Sequence, residues 1–111
     1  MNIQIFGDNK SFDSKKAERY FKERRIKYQY IDLRKYDISR GELLSVKNAV
    51  GLDRLVNKDD PDYPLLIQYL ATDNDRFENL LENQFLLNVP IVRNGKKATV
   101  GYCPEIWKTW E

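Results

Sequence analysis

Residues 2–17 read NIQIFGDNKSFDSKKA, and the fold turns on them. Ile3 and Ile5 alternate with polar neighbours and the run closes on Phe6 and Gly7, the pattern of a short half-buried strand. A polar loop follows, then a helix start. Ser11 is the N-cap candidate for SFDSKKAERYFKERR, residues 11–25. There Ala17, Tyr20, Phe21 and Arg24 recur at helical spacing, and Lys15, Lys16, Glu18, Arg19, Lys22 and Glu23 fall elsewhere. Next comes KYQYIDL, residues 27–33, rich in aromatic and branched side chains and read as a second strand. Strand, helix and strand in this order predict a parallel pair joined by a crossover helix.

The remainder adds helices and a hairpin. SRGELLSVKNAVG, residues 39–51, carries a capping box from Ser39 to Glu42, then Leu43, Leu44 and Val46, with Gly51 as a stop. From Leu52 to Leu87 strand signal is scarce. DDPDYPLLIQYL is punctuated by Pro61 and Pro64, TDNDRFENLLENQFLL opens on Asp73 and Asp75, and both read as short helices. VPIVRNGKKATVGY, residues 89–102, places two β-type runs around Asn94-Gly95, a strong hairpin signal. CPEIWKTWE ends the chain with Pro104 near a helix start and Ile106, Trp107 and Trp110 on one side. The expected fold is α/β: a four-stranded mixed sheet with flanking helices and an all-helical insertion between residues 52 and 87, in one domain spanning 1–111.

Composition restricts the chemistry. The 111 residues are 41% hydrophobic and 32% charged, with a net charge of +2 and both signs mixed. That balance argues for neither direct nucleic-acid binding nor a membrane. No apolar run approaches a membrane span, and the N-terminus reads as a strand rather than a signal peptide. Cys103 stands alone, which excludes an internal disulfide and makes the cytoplasm the expected location. The chain has no histidine, which removes Ser-His and Cys-His nucleophile pairs and most transition-metal sites.

Ser11 and Ser14 form S-x-x-S at the loop-to-helix junction, where a cytosolic redox domain carries C-x-x-C or C-x-x-S. With this loop, the basic Lys15-Lys16 pair, YQYIDL before a capped helix, VPIVRNGKKATVGY and the terminal PEIW, the chain resembles the thioredoxin-like arsenate reductase and Spx family along nearly its whole length. The resemblance implies a cis Val89-Pro90 bond beside the Ser11 loop. It also implies a nucleophilic cysteine where this chain has Ser11, so the site left behind would comprise Ser11, Ser14, Lys15 and Pro90. Serine is far harder to ionise than a thiol of pKa about 8.5, and its oxygen cannot enter thiol–disulfide exchange. Arsenate-reducing members hold the oxyanion with arginines at three places. Here those places fall on Val89, on Asn57 by gapless matching (with Arg54 near), and on Cys103.

The resemblance therefore implies a redox-inactive relative acting as a binding or regulatory module, without a cofactor. Spx-type members bind the α subunit of RNA polymerase, which makes that subunit the partner implied here. The alternative is a glutaredoxin- or arsenate-reductase-like thiol oxidoreductase using Cys103 or a shifted site, with glutathione as thiol donor. Two smaller readings stay open. The helix start near Lys10, Lys15 and Lys16 offers amides to a phosphate or sulfate, or Ser11 and Ser14 are structural caps. Cys103 is a relocated redox thiol, or a partly buried and inert one.

Overall fold

The computed structural model describes residues 1–111. Four strands, β1 (Ile3–Gly7), β2 (Tyr28–Asp32), β3 (Ile91–Asn94) and β4 (Lys97–Val100), form one sheet in the order β2-β1-β3-β4. β1 pairs parallel with β2, Ile5 facing Tyr30, and antiparallel with β3, Ile5 facing Val92. The crossover between the parallel strands is helix α1 (Phe12–Glu23), as the opening stretch predicts. Because side chains alternate across a strand, Ile3 and Ile5 leave the sheet on one side and Phe6 on the other. Ile3, Ile5 and Val92 pack with Ala17, Tyr20 and Phe21 of α1 and with Trp107 of α5 (Pro104–Lys108). Phe6 and Ile91 pack on the opposite face with Leu43 and Val46 of α2 (Arg40–Val50), Leu55 of α3 (Leu52–Leu55), and Phe77 and Leu80 of α4 (Asp73–Glu82).

The helical insertion is present, with a refinement at its base. Between α3 and α4 the chain makes a single π-helical turn, Pro64–Gln68, and after α4 a 3₁₀ turn, Gln84–Leu86. Val56 and Leu87 form an isolated antiparallel bridge, flanked by the bonds from Asn57 N–H to Leu86 C=O and from Asn88 N–H to Leu55 C=O. The insertion is thus fastened at its neck by strand-like pairing of only a few residues, too short to leave a period in the sequence.

Three local readings need correction. Helix α1 stops at Glu23, so Arg24 lies past its apolar stripe. Arg25 takes the left-handed conformation (φ 58°), and the bonds from Ile26 N–H to Phe21 C=O and from Arg25 N–H to Lys22 C=O close a Schellman motif without a glycine. In the hairpin, Asn94 pairs with Lys97, so the turn residues are Gly95-Lys96 rather than Asn94-Gly95. Gly95 alone has positive φ (60°), as the first position of a type II′ turn requires. Leu44, read with the apolar side of α2, is 42% exposed because Leu43 and Val46 already fill the sheet-facing stripe.

Candidate functional site

The loop between β1 and α1 is held by its own short side chains. Asp8 Oδ1 accepts from Lys10 N–H at 2.9 Å, and Asp8 C=O accepts from Ser11 N–H at 2.8 Å. Ser11 is the N-cap of α1: its Oγ accepts the Ser14 N–H at 3.2 Å. Ser14 is fully buried and its Oγ accepts the Asp8 N–H at 3.1 Å. Both hydroxyls of the S-x-x-S motif are therefore engaged with backbone, one fixing the helix start and the other tying the helix back to the strand end. The Tyr30 hydroxyl closes over the same point. A Cβ placed on Gly7 would stand 2.6 Å from the Tyr30 hydroxyl and 2.9 Å from Ser14 Oγ, so β1, β2 and α1 converge where only glycine fits. Burial, with the carboxylates of Glu18 and Asp32, pushes the Tyr30 hydroxyl above its ordinary pKa despite a hydrogen bond to Ser14 that pulls the other way.

The cations read near this loop, Lys10, Lys15 and Lys16, are all exposed. They share the neighbourhood with Asp8 and with Asp13 in the first turn of α1. An anion at the helix start would meet these carboxylates as well as the lysines. No group of three His, Cys, Asp or Glu side chains is placed to hold a metal ion.

The Val89-Pro90 bond is cis, and Pro90 is buried at the foot of β3. Pairing of Phe6 with Ile91 brings this turn alongside the end of β1, where the Ser11 loop begins. An open cleft of about 420 Å³ lies beside Val89, lined also by Arg54, Asn88, Val100 and Gly101. Arg54 lines this cleft, and Asn57, which gapless matching sets at one of the arginine positions, does not. Asn57 instead turns into its own loop, its side chain accepting the Asp59 N–H at 3.1 Å. The Asn88 amide donates to Arg54 C=O and Val56 C=O and pins the neck of the insertion beside the cleft. Arg54 belongs to the four-residue helix between Gly51 and Val56, whose exact bounds sequence spacing alone does not reveal.

Cys103 sits at the start of α5, partly buried. Its thiol donates to Val100 C=O at 3.4 Å. Burial pushes the thiol above its ordinary pKa, with Glu105 and Asp13 adding to the rise, while a Thr99 hydrogen bond and the Arg54 charge oppose it. Its surroundings thus favour the neutral thiol. A reactive thiol needs the reverse.

No model of a known protein family matches the chain, and no curated protein matches it. Solved structures share its fold. A protein named YffB superposes with a TM-score of 0.83 at 18% identity, over 96% of each chain. The arsenate reductase from Vibrio cholerae gives 0.79 at 23% identity, over 96% of this chain and 94% of that one. An ArsC family related protein from Bacteroides fragilis gives 0.81 at 20% identity over the full length of both. The fold is that of thioredoxin-like proteins, and several of the structures that share it carry arsenate reductase (ArsC) names. At these identities the likeness concerns architecture: a mixed four-stranded sheet, a helix after the first strand and a helical insertion before the hairpin.

Proposed function

We propose that the chain is an arsenate reductase/Spx-type protein that has lost its thiol chemistry and works as a binding or regulatory module. The observation carrying this reading is Ser11. It stands at the loop-to-helix junction where the family resemblance puts the nucleophilic cysteine, and its oxygen is occupied in capping α1. Ser11 also lacks its usual activating base, because the chain has no histidine. Val89 brings no charge to the cleft beside Pro90, which leaves Arg54 as the cation lining it. The partner implied by the Spx resemblance is the α subunit of RNA polymerase.

The alternative enzyme would work through Cys103 with glutathione as donor. Its thiol is shielded, hydrogen-bonded to a carbonyl and held toward the neutral form, which disfavours that route. The deciding experiment incubates the native protein with arsenate and either glutathione or thioredoxin, and in parallel with the purified polymerase α subunit. The expected result is no turnover above the protein-free control, together with saturable α-subunit binding. Turnover that disappears in Cys103→Ser overturns the non-catalytic reading. Absence of turnover without α-subunit binding removes that partner and leaves the loss of thiol chemistry standing.

A further inference from the structure

On the α1 face of the sheet, helices α1 and α5 line a groove of about 560 Å³. Lys16, Arg19 and Arg24 line it from α1 and its C-cap, Lys108 from α5, and Glu23 is the single carboxylate among its lining residues. The spacing explains the stripe: residues 16, 19, 20, 23 and 24 fall on one side of a helix, next to the face that is buried. None of the four cations forms an ion pair. The four salt bridges of the chain are elsewhere, at Arg40–Glu78, Lys58–Asp53, Arg76–Asp73 and Arg93–Glu42. Four cations against one lining carboxylate leave the groove net positive, a surface that attracts an anionic partner.

The groove also has an aromatic floor. The Arg24 guanidinium lies 3.7 Å from the centre of the Tyr20 ring, and Lys16 Nζ lies 5.7 Å from that of Tyr102. Tyr102, 43% exposed, and the half-buried Pro104 supply apolar surface to the lining of the groove. Cations flanked by exposed apolar groups suit a partner that brings both carboxylates and apolar side chains. Carboxylates interrupt the basic surface: Glu23 in the groove, and Glu111, which accepts from the Tyr20 hydroxyl at 3.1 Å. A continuous phosphate backbone would meet these charges, whereas discrete side-chain carboxylates can be placed between them.

We propose that the groove between α1 and α5 is a docking surface for an acidic, partly apolar segment of a partner protein. This names the kind of partner for the binding module proposed above and rests on that reading. The test measures fluorescence anisotropy of a labelled peptide of Glu-Glu-Leu repeats against the native chain. A Lys-Lys-Leu peptide and a single-stranded oligonucleotide serve as comparison ligands. The acidic peptide is expected to bind saturably and to weaken as salt rises. Lys16→Glu/Arg19→Glu should weaken it by roughly tenfold or more, as charge reversal at a docking site does. Lys108→Glu, on the other helix, should weaken it as well and guards against misfolding of the α1 variant. Lys96→Glu/Lys97→Glu, two exposed cations on the hairpin, should leave binding unchanged. The proposal is overturned by absent binding, by equal loss in the hairpin variant, or by tighter binding of the oligonucleotide. Turnover of arsenate by the native chain would instead strike the non-catalytic reading, so the two failures are distinct.

Discussion

Gly7 and Ser14 illustrate how a few atoms fix the loop. The close approach of the Tyr30 hydroxyl and Ser14 Oγ to Gly7 leaves no room for a methyl group. Gly7→Ala is expected to destabilise the protein by about 1–3 kcal/mol, the range for overpacking, read as a lower urea midpoint. Tyr30→Phe in the Gly7→Ala background should recover part of the loss, because it removes the nearer of the two atoms. An unchanged midpoint for Gly7→Ala would mean that the three elements do not meet there. Ser11 tests the chemistry of the same loop. In Ser11→Cys/Cys103→Ser the new thiol replaces the oxygen that accepts the Ser14 N–H. The positive end of α1 and Lys10, Lys15 and Lys16 favour the thiolate, opposed by Asp8 and Asp13. The helix end acts at contact distance, so the thiol should titrate below the ordinary value of about 8.5. Alkylation rate against pH measures it, and a midpoint at or above that value would show that the loop no longer favours an anion.

At the level of elements, legibility follows how much of each signal is local. The Ser39–Glu42 capping box is formed in full: Ser39 Oγ accepts the Glu42 N–H and Glu42 accepts the Ser39 N–H. Both partners lie within four residues of chain, so the sequence displays them. The same Glu42 also accepts from the Gln4 amide at 3.3 Å and lies 3.7 Å from Arg93, contacts from helix to sheet that no spacing announces. The end of α1 was hidden for the opposite reason. Its left-handed residue is an arginine, and the usual glycine punctuation is missing. That irregularity is testable. A non-glycine residue in this conformation costs roughly 1–2 kcal/mol, partly offset by the greater freedom of glycine in the unfolded chain. Arg25→Gly should therefore raise stability by about 0.5–1 kcal/mol, visible as a higher urea midpoint with unchanged slope. A destabilised variant would show that the Arg25 side chain contributes more than its backbone costs.

Across the whole molecule, the two sheet faces carry unequal covers. The α2 face is roofed by the insertion, whereas the α1 face depends on one long helix and the five residues of α5. Trp107 makes that small helix sufficient. It is fully buried, packs against the rings of Tyr20 and Phe21 at 5.1 and 5.2 Å, and donates its indole N–H to Thr99 Oγ1 at 2.8 Å. The sequence could place Trp107 on an apolar side of a terminal helix. It could not reveal the polar partner, because Thr99 belongs to the inward face of β4 and only the register of the hairpin brings it beneath the ring. The bond couples the last strand to the last helix. Thr99→Val leaves a buried indole N–H without an acceptor, a loss of about 1–3 kcal/mol. Trp107→Phe removes the donor, at its own cost in packing. Once the donor is gone, Thr99→Val removes only the weaker hydrogen bond to the Cys103 thiol and should cost less than in the native chain. Urea unfolding of the four proteins in this cycle gives the coupling directly, expected at about 0.5–3 kcal/mol. Strict additivity would mean that α5 is held by apolar contact alone and that the Thr99 hydroxyl takes no part in closing the sheet.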